Sequence, residues 1–280
     1  MVIPKEYSVK DKVAIVTGGG RGIGKSIALT LAEGGADVTV AARTAKQIEQ
    51  TADEIRQLGR RALAVPTDIT KADEVKGVVE KTVSQFGKID ILVNNAGIDI
   101  LKPIAFVPEM KEMKLPEWKV ADSWDTPLSE AEWHEVIDTN LTSAFLFAQA
   151  IAPHMLRQRK GKVINISSNS ADLGAPYFSA YNVSKAGLSM FTRCLAVEWA
   201  PFNICVNAVG PGDIRTELNA RVFDQPEMRE FMLASIPLRR FGETREVALL
   251  VLFLASEASN YISGQTIYMD GGQLARGRGI

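Results

Sequence analysis

The chain has 280 residues, of which 46% are hydrophobic and 23% charged, and its formal net charge at pH 7 is −1. The apolar content suffices for a well-buried core, and the balanced charge, without blocks of one sign, argues against nucleic acid or a membrane surface as a partner. The start of the chain, MVIPKEYSVKDK, has no long apolar stretch, so we expect neither a signal peptide nor a membrane span.

Short apolar runs alternate with amphipathic stretches along the chain. The runs are almost continuously Val, Ile, Leu and Ala, as is typical of strands covered on both faces. The stretches between them repeat apolar residues at helical spacing, as Val75, Val78, Val79 and Phe86 do. This alternation predicts a Rossmann-like α/β fold, a doubly wound, parallel, seven-stranded sheet with helices on both faces, in one domain over residues 1–280. The predicted strands cover 13–17, 37–42, 62–68, 91–97, 162–168, 204–209 and 265–271.

The stretch TGGGRGIG, residues 17–24, lies between the first predicted strand and the first predicted helix. Gly18 permits a tight turn, Gly22 lets the backbone approach a pyrophosphate, and Gly24 lets the helix pack against the strand. The free N–H groups at the start of the helix attract phosphate. In this context the stretch predicts a dinucleotide-binding loop rather than a merely flexible turn.

The end of the second predicted strand indicates which dinucleotide binds. Sites that prefer NAD carry Asp or Glu about 20 residues beyond the glycines, whereas this strand end reads VAARTAK, with Arg43 and no acid. A guanidinium binds a 2′-phosphate through two parallel hydrogen bonds, and Arg21 in the glycine loop could approach the same group. We therefore predict NADP(H) as the preferred cofactor and NAD(H) as the alternative, which would leave both arginines as plain surface charges.

Residues 98–129 interrupt the alternation. They contain several prolines and two tryptophans, Trp118 and Trp124, and show no sustained period. An excursion of this length at a strand end is usually a functional lid or mobile surface. The tryptophans could roof a hydrophobic substrate or pack against the protein's own surface. Ser129 followed by Glu132 predicts a capping box that begins the next helix.

The stretch YNVSK, residues 181–185, places a tyrosine and a lysine on the same face of a predicted helix. A free phenol has a pKa of about 10, and a neighbouring ammonium favours phenolate, so Lys185 is expected to lower the pKa of Tyr181 towards that of an acid catalyst at neutral pH. Ser168 ends a predicted strand at the sheet edge where such folds bind ligands, and its hydroxyl could bond to a substrate carbonyl. The simpler alternative is a packing pair on a helix.

In this order, the motifs resemble those of the short-chain dehydrogenase/reductase family in its common cytoplasmic form. The glycine loop is similar to the family's TGxxxGxG, NNAG at 94–97 to its fourth-strand motif, and NAVGPGDIRT at 207–216 to its NxxxPGxxxT. Asn140 in DTNLTSAF, Ser168 in ISS and the pair in YNVSK match further positions, so that the resemblance covers almost the whole chain.

The resemblance implies a catalytic set of Asn140, Ser168, Tyr181 and Lys185. Tyr181 would supply the proton, and Ser168 would stabilise the alkoxide. Lys185 would also bond to the nicotinamide ribose, and Asn140 would hold a water on the proton path; a polar residue within the helix is the alternative for Asn140.

The glycine loop and the resemblance together imply contacts along the whole dinucleotide. Asp68 would lie beside the adenine, Asn94 and Ala96 beside the adenosine ribose, and Thr216, with the preceding Pro-Gly turn, beside the nicotinamide amide. The predicted cofactor contacts are Gly18, Arg21, Gly22, Ile23, Gly24, Arg43, Asp68, Ile69, Asn94, Ala96, Gly97, Tyr181, Lys185, Pro211, Gly212, Ile214 and Thr216.

No metal site is expected, because His134 and His154 are predicted to be helix-surface residues without metal-ligand spacing.

The two cysteines, Cys194 and Cys205, are expected to be reduced core thiols, which favours a cytoplasmic location.

Two features depart from the family pattern. The stretch from Gly97 to Asn140 is roughly twenty residues longer than usual and could shape substrate choice or contact another subunit. Asp213 stands after the Pro-Gly turn, where an aromatic or aliphatic residue is common. We favour the interpretation that Asp213 caps a helix beginning near Thr216 over contact with a polar substrate.

A further segment, 217–241, is expected to be a mobile lid on the substrate side, and its apolar residues favour a carbonyl with an apolar body. Those residues are Leu218, Val222, Phe223, Phe231 and Met232.

The tail GGQLARGRGI is expected to be flexible or to reach a neighbouring subunit.

These observations predict an NADPH-dependent oxidoreductase that reversibly reduces a ketone or aldehyde, with a small-molecule carbonyl or alcohol as partner. One alternative is a 3-oxoacyl thioester reductase, which would need a basic rim such as Arg239 and Arg240 could provide. Another is a sugar or polyol dehydrogenase, favoured if Asp213 faces the substrate. A non-catalytic NADP-binding sensor or scaffold would have lost part of the catalytic set. The resemblance also implies a homo-oligomer, a tetramer or dimer.

Overall fold

The apolar runs of the sequence form the strands of a parallel sheet. The structure is a computed structural model that describes residues 5–107, 126–217 and 224–276. Its strands are β1 Val13–Thr17, β2 Asp37–Ala42, β3 Ala62–Pro66, β4 Ile91–Asn94, β5 Gly161–Ile166, β6 Ile204–Pro211, β7 Ile214–Arg215, β8 Gly242–Glu243 and β9 Thr266–Met269. Seven of them form one sheet in the order β3-β2-β1-β4-β5-β6-β9, with every neighbouring pair parallel, while β7 pairs with β8. The predicted seven-stranded parallel sheet is confirmed.

The helices cover both faces of this sheet. They are α1 Gly22–Glu33, α2 Ala45–Gln57, α3 Ala72–Phe86, α4 Glu130–Ile137, α5 Ser143–Gln158, α6 Ser179–Trp199, α7 Pro226–Ser235 and α8 Thr244–Ala255. Helices α1, α2 and α8 share one buried apolar cluster, and α3, α5 and α6 share another. Alternate residues of β1 divide between the two, Val16 on the first side and Ile15 on the second. Within the described ranges, no helix combines the length and apolarity needed to cross a bilayer.

The strand order reverses at β1. Strand β2 pairs with one edge of β1 and β4 with the other, so the connections that leave their carboxyl ends run in opposite directions and open a crevice between them. The loops after β1, β4, β5 and β6 all emerge at this edge. They carry the glycine loop, the NNAG motif, Ser168 and the Pro-Gly turn.

Strand β4 ends at Asn94 rather than at the predicted residue 97. The reason is a side chain: the main-chain N–H groups of Asn95 and Ala96 donate to the hydroxyl of Thr17, at 3.0 and 3.1 Å, instead of continuing a ladder. The rest of the NNAG motif therefore leaves the sheet and faces the crevice as a loop.

The predicted capping box is confirmed. The Ser129 hydroxyl accepts from the Glu132 N–H at 3.2 Å, and the Glu132 carboxylate accepts from the Ser129 N–H at 2.9 Å, at the start of α4. The described ends of the 98–129 excursion lie side by side, because Leu128 N donates to Pro103 O at 2.7 Å. The remainder of this excursion and parts of the predicted lid and tail lie outside the described residues, namely 108–125 with Trp118 and Trp124, 218–223 with Leu218, Val222 and Phe223, and 277–280.

The two cysteines differ in position. Cys205 is buried in β6, as predicted, but Cys194 is exposed, so the prediction of a second core thiol is wrong. Helix α6 contributes only one side to the core, through residues such as Leu195 and Trp199, and Cys194 lies on the other side.

Candidate active site

Helix α6 brings Tyr181 and Lys185 together beside the end of β5. The Lys185 ammonium lies 5.6 Å from the centroid of the Tyr181 ring and donates a 2.8 Å hydrogen bond to the carbonyl oxygen of Ile166, the last residue of β5. Ser168, two residues further along, hydrogen-bonds to Tyr181. Three of the four predicted catalytic residues therefore meet at the carboxyl edge of the sheet.

Burial dominates the acidity of this pair. It raises the pKa of Tyr181 to about 12, against the opposing effect of the hydrogen bond with Ser168, and it lowers the pKa of Lys185 to about 8. The Asp99 carboxylate raises both pKa values. The prediction that Lys185 lowers the pKa of Tyr181 is therefore wrong for this arrangement. The ammonium lies against the ring and bonds to the Ile166 carbonyl, and desolvation of the phenol prevails.

Asn140 lies in a five-residue π turn, Asp138–Thr142, between α4 and α5, a local widening that is frequent at functional sites. Its side-chain amide pairs with the main chain of Ile98. Oδ1 accepts from the Ile98 N–H and Nδ2 donates to the Ile98 carbonyl, both at 2.8 Å. Nδ2 also donates to the Ser184 hydroxyl at 3.0 Å, which in turn donates to the Tyr181 carbonyl at 2.7 Å. Because both amide hydrogens are used, the side chain connects the loop after β4 with helix α6.

Gly97 lies where these residues converge. A Cβ atom at this position would be 3.2 Å from Asn140 Oδ1 and 3.3 Å from Lys185 Nζ, both closer than ordinary van der Waals contact. The absence of a side chain at Gly97 thus allows the loop after β4 to approach both groups.

The glycine loop has the tight turn that the sequence predicts. Gly18 and Gly22 have φ angles of +66° and +54°, which favour glycine, and a Cβ atom at Gly24 would collide with the Gly18 carbonyl oxygen. Asn95 holds the loop against β4, because its Nδ2 donates to the Thr17 carbonyl at 2.9 Å. Conformation and packing therefore both require these glycines.

The glycine loop and the segment after β7 border the crevice in which a dinucleotide is expected. A Cβ atom at Gly22 would lie 3.7 Å from Cγ2 of Thr216, so the loop and the segment after β7 approach each other closely at the crevice. The N-terminus of α1 opens onto it. Ile23 is partly buried beside the core of that face, Ile214 is buried, and Pro211 ends β6.

Arg43, Arg21 and Asp68 lie at the adenosine end. Both arginines are exposed, and in the part of the chain that the structure describes neither guanidinium forms a hydrogen bond or an ion pair. Asp68 is close enough to Arg43 for the guanidinium to contribute to its lowered pKa, although hydrogen bonds from Thr70 are the main cause. Ile69, beside Asp68, is buried. Two exposed cations, one of them close enough to Asp68 to lower its pKa, therefore lie where the 2′-phosphate is expected.

Asn94 turns its side chain into the core. Its Nδ2 donates to Asn165 Oδ1 at 2.8 Å, and Asn165 Nδ2 donates to the Thr192 hydroxyl at 2.8 Å, so this buried row ties β4 and β5 to α6. Any contact between Asn94 and the adenosine ribose must therefore come from its main chain.

Asp213 does not cap a helix at Thr216, and that interpretation is wrong. Ile214–Arg215 form strand β7, and the two residues after it are not helical. The Asp213 carboxylate instead accepts a 3.0 Å hydrogen bond from Gln273 Nε2, and burial raises its pKa. The neighbouring Gly212 N–H donates to the last residue of β9 at 3.0 Å, which fixes the turn expected to hold the nicotinamide.

Several residues that organise the site were not predicted from the sequence. Thr17, Asn95 and Ser184 lie inside the TGGG, NNAG and YNVSK motifs, so a motif signal for them was present. Gln273 lies outside every motif, and only its contacts reveal it.

Comparisons with known proteins agree with this geometry. A family model described as enoyl-(acyl carrier protein) reductase matches residues 18–273. A 3-oxoacyl-[acyl-carrier-protein] reductase FabG of Staphylococcus epidermidis is 41% identical over 263 residues, which cover 94% of this chain and 98% of that protein. A 2-dehydro-3-deoxy-D-gluconate 5-dehydrogenase of Formosa agariphila is 34% identical over 271 residues, with coverages of 96% and 95%.

Solved structures show the same likeness. A short-chain type dehydrogenase/reductase from Mycobacterium marinum superposes with a TM-score of 0.84 at 37% identity, covering 97% of this chain and 99% of that one. A gluconate 5-dehydrogenase from Burkholderia cenocepacia, in complex with NADP and tartrate, superposes with a TM-score of 0.84 at 31% identity, with coverages of 98% and 99%.

Proposed function

The chain belongs to the short-chain dehydrogenase/reductase family, and we propose that it is an NADP(H)-dependent oxidoreductase that interconverts a ketone or aldehyde and the corresponding alcohol. The observation that carries the proposal is the connected cluster of Asn140, Ser168, Tyr181 and Lys185 beside the glycine loop. A non-catalytic sensor would not need this set intact.

The residues of the cluster have distinct roles in reduction. With its pKa raised to about 12, Tyr181 is protonated at neutral pH and therefore holds the proton that the carbonyl oxygen receives. The Ser168 hydroxyl donates a hydrogen bond to the same oxygen as negative charge develops. The Lys185 ammonium lies 5.6 Å from the centroid of the Tyr181 ring and donates to the Ile166 carbonyl, so we assign it to positioning Tyr181 and to bonding with the nicotinamide ribose. Bound NADPH supplies the hydride.

The preference for NADP(H) rests on the adenosine end. The end of β2 offers Arg43 and no acid, and Arg21 adds a second exposed guanidinium. A 2′-phosphate gains from both charges, whereas a 2′-hydroxyl has no carboxylate to accept its hydrogen bond at that strand end. The gluconate 5-dehydrogenase that superposes on this chain was crystallised with NADP, which supports the assignment.

Two substrate classes follow from the relatives. FabG of Staphylococcus epidermidis is a 3-oxoacyl thioester reductase by name, and the Formosa agariphila protein acts on a sugar acid. The basic rim that a carrier-bound thioester requires is weaker than the sequence indicates, because Arg240 forms two hydrogen bonds with Glu246, at 2.8 and 2.7 Å. Arg239 is the other candidate at this rim.

The deciding experiment offers the purified protein a panel of simple ketones, 3-oxoacyl thioesters and polyols with NADPH or NADP, and follows the absorbance of the reduced nicotinamide. We expect turnover of at least one class and a higher kcat/KM with the phosphorylated cofactor. No turnover of any class, with NADPH bound, would identify a binding protein instead.

We further propose that the chain acts as a single catalytic domain in the cytoplasm, and as a homotetramer or homodimer. Val183, Met190 and Val197 recur every seven residues along α6 and are 49%, 53% and 78% exposed, and Phe145 on α5 is 46% exposed. Such a stripe of apolar side chains favours burial against another copy of the chain.

A further inference from the structure

One side chain of the C-terminal segment contacts three parts of the site. Oε1 of Gln273 accepts a 2.8 Å hydrogen bond from Asn169 Nδ2. Its Nε2 donates to Asp213 Oδ2 and to the Ser235 hydroxyl, both at 3.0 Å. Both amide hydrogens and the amide oxygen of Gln273 therefore form hydrogen bonds, so that its side chain links three separate segments of the chain.

Each hydrogen-bond partner of Gln273 lies next to a different functional segment of the proposed site. Asn169 directly follows the serine proposed to contact the substrate oxygen. Asp213 directly follows the Pro-Gly turn proposed to hold the nicotinamide, and a Cβ atom at Gly212 in that turn would lie 2.6 Å from Gln273 Oε1. Ser235 is the last residue of α7, the described helix of the predicted lid.

The turn that carries Gln273 is well fixed. Gly271 and Gly272 have φ angles of +62° and +93°, which favour glycine. The carboxylate of Asp270 accepts from the main-chain N–H groups of Gly272 at 2.9 Å and Leu274 at 2.7 Å. The direction of the Gln273 side chain is thus set by the end of β9.

The same segment holds the end of α7. Leu238 N donates to Gly271 O at 3.1 Å, and Arg276 Nη1 donates to Ala234 O at 2.8 Å. Among the described residues, Met228 of α7 is buried, and Met232 and Leu233 pack against Ile236 and Phe241 just beyond the helix. The polar contacts of Gln273 and Arg276 add to this apolar packing near the end of the helix.

We propose that Gln273 is a positioning residue that couples the substrate lid to the catalytic centre. The inference rests on the proposed function. Through its amide, Gln273 holds the end of α7 at a set distance from the loop after Ser168 and from the nicotinamide turn. Removing the amide leaves Asp213, Asn169 and Ser235 without this partner and removes one of the contacts that hold the end of α7, so substrate binding weakens. The Tyr181–Lys185 pair, which Gln273 does not touch, keeps its arrangement.

The kinetic test compares Gln273→Ala and Gln273→Glu with the matched control Gln265→Ala, whose side chain is exposed at the other end of β9. We expect the KM for the carbonyl substrate to rise about tenfold in both Gln273 variants, as loss of these part-buried hydrogen bonds implies, with less change in kcat and in the Kd for NADPH. Glutamate fills the same space but cannot donate to Asp213 or Ser235. A Gln273→Glu enzyme with parental KM would overturn the coupling.

A second readout needs no substrate. In cofactor-free protein we expect amide hydrogen exchange to accelerate in residues 226–238 of both Gln273 variants, relative to the parent and Gln265→Ala, with α6 unchanged. Unchanged exchange in 226–238, or equal acceleration in every helix, would overturn the inference. Failure of the parent to turn over any substrate would instead count against the proposed function, so the two failures are distinguishable.

Discussion

The side-chain amide of Asn140 pairs with both main-chain polar groups of Ile98, with the two hydrogen bonds each 2.8 Å long. The pairing joins the π turn between α4 and α5 to the loop after β4, and through Ser184 it continues to the carbonyl of Tyr181. Asn140 therefore positions the loop and the helix that together present the phenol and the ammonium.

Replacing Asn140 by Asp should weaken these hydrogen bonds without changing the size of the side chain. The carboxylate would face the Ile98 carbonyl and the Ser184 hydroxyl with no N–H to donate to the carbonyl, so we expect a loss of about 1–3 kcal/mol in the free energy of unfolding, together with a fall in kcat. Urea denaturation and steady-state kinetics measure the two effects. Parental stability in both Asn140→Asp and Asn140→Ala would contradict the role of this pairing.

Replacing Tyr181 by Phe removes the proposed proton donor and leaves the ring. We expect kcat to fall by about 100-fold or more, the usual contribution of general acid catalysis, while the Kd for NADPH changes little. Tyr261→Phe is the matched control, because that side chain is fully exposed. Turnover at the parental rate in Tyr181→Phe would refute the assignment of Tyr181.

Burial of Lys185 predicts how stability depends on pH. Its pKa is lowered to about 8 in the folded protein, whereas an unfolded lysine has a pKa of about 10.4. Between these values the unfolded chain binds more protons, so the free energy of unfolding of the cofactor-free protein should rise from about pH 8 to about pH 10. Above about pH 10 the raised pKa of Tyr181 acts in the opposite sense.

Lys185→Met should reduce that rise, which chemical denaturation at a series of pH values would measure. Part of the rise should remain, because burial also lowers the pKa of Lys162. An identical pH dependence in the parent and Lys185→Met would show that Lys185 is charged at no cost in the folded protein.

Arg43→Asp should change the preference for cofactor. Loss of the bidentate, charge-assisted hydrogen bonds to the 2′-phosphate should raise the KM for NADPH roughly 10- to 100-fold. The KM for NADH should stay nearly constant. Lys81→Asp, an exposed residue on α3, controls for the change in net charge. Equal effects of Arg43→Asp on the two cofactors would contradict the proposed 2′-phosphate site.

Val197→Glu should weaken self-association. The substitution places a charge in the exposed apolar stripe of α6, and desolvating that charge in an interface is costly. Sedimentation velocity should show smaller species than for the parent and for Leu58→Glu, which alters an exposed apolar residue at the end of α2. A monomeric parent would exclude the proposed assembly.

The sequence alone determined the parallel sheet and the glycine loop, and the resemblance of its motifs to a known family supplied the proposed catalytic set. These features have local causes: apolar periodicity, the freedom of glycine to adopt positive φ, and a tyrosine and lysine one helical turn apart. The sequence also placed Ser168 at the edge of the sheet where such folds bind ligands, because parallel strands end together there.

The tertiary structure alone decided how the site is held and how acidic it is. Asn140 bonds to a residue 42 positions away and Gln273 to one 104 positions away, and no local pattern predicts such pairs. The raised pKa of Tyr181 has the same origin, because desolvation depends on what the fold places around the phenol. Asp213, expected at a helix start, bonds instead to the C-terminal segment, since contacts between distant segments exist only once the chain has packed.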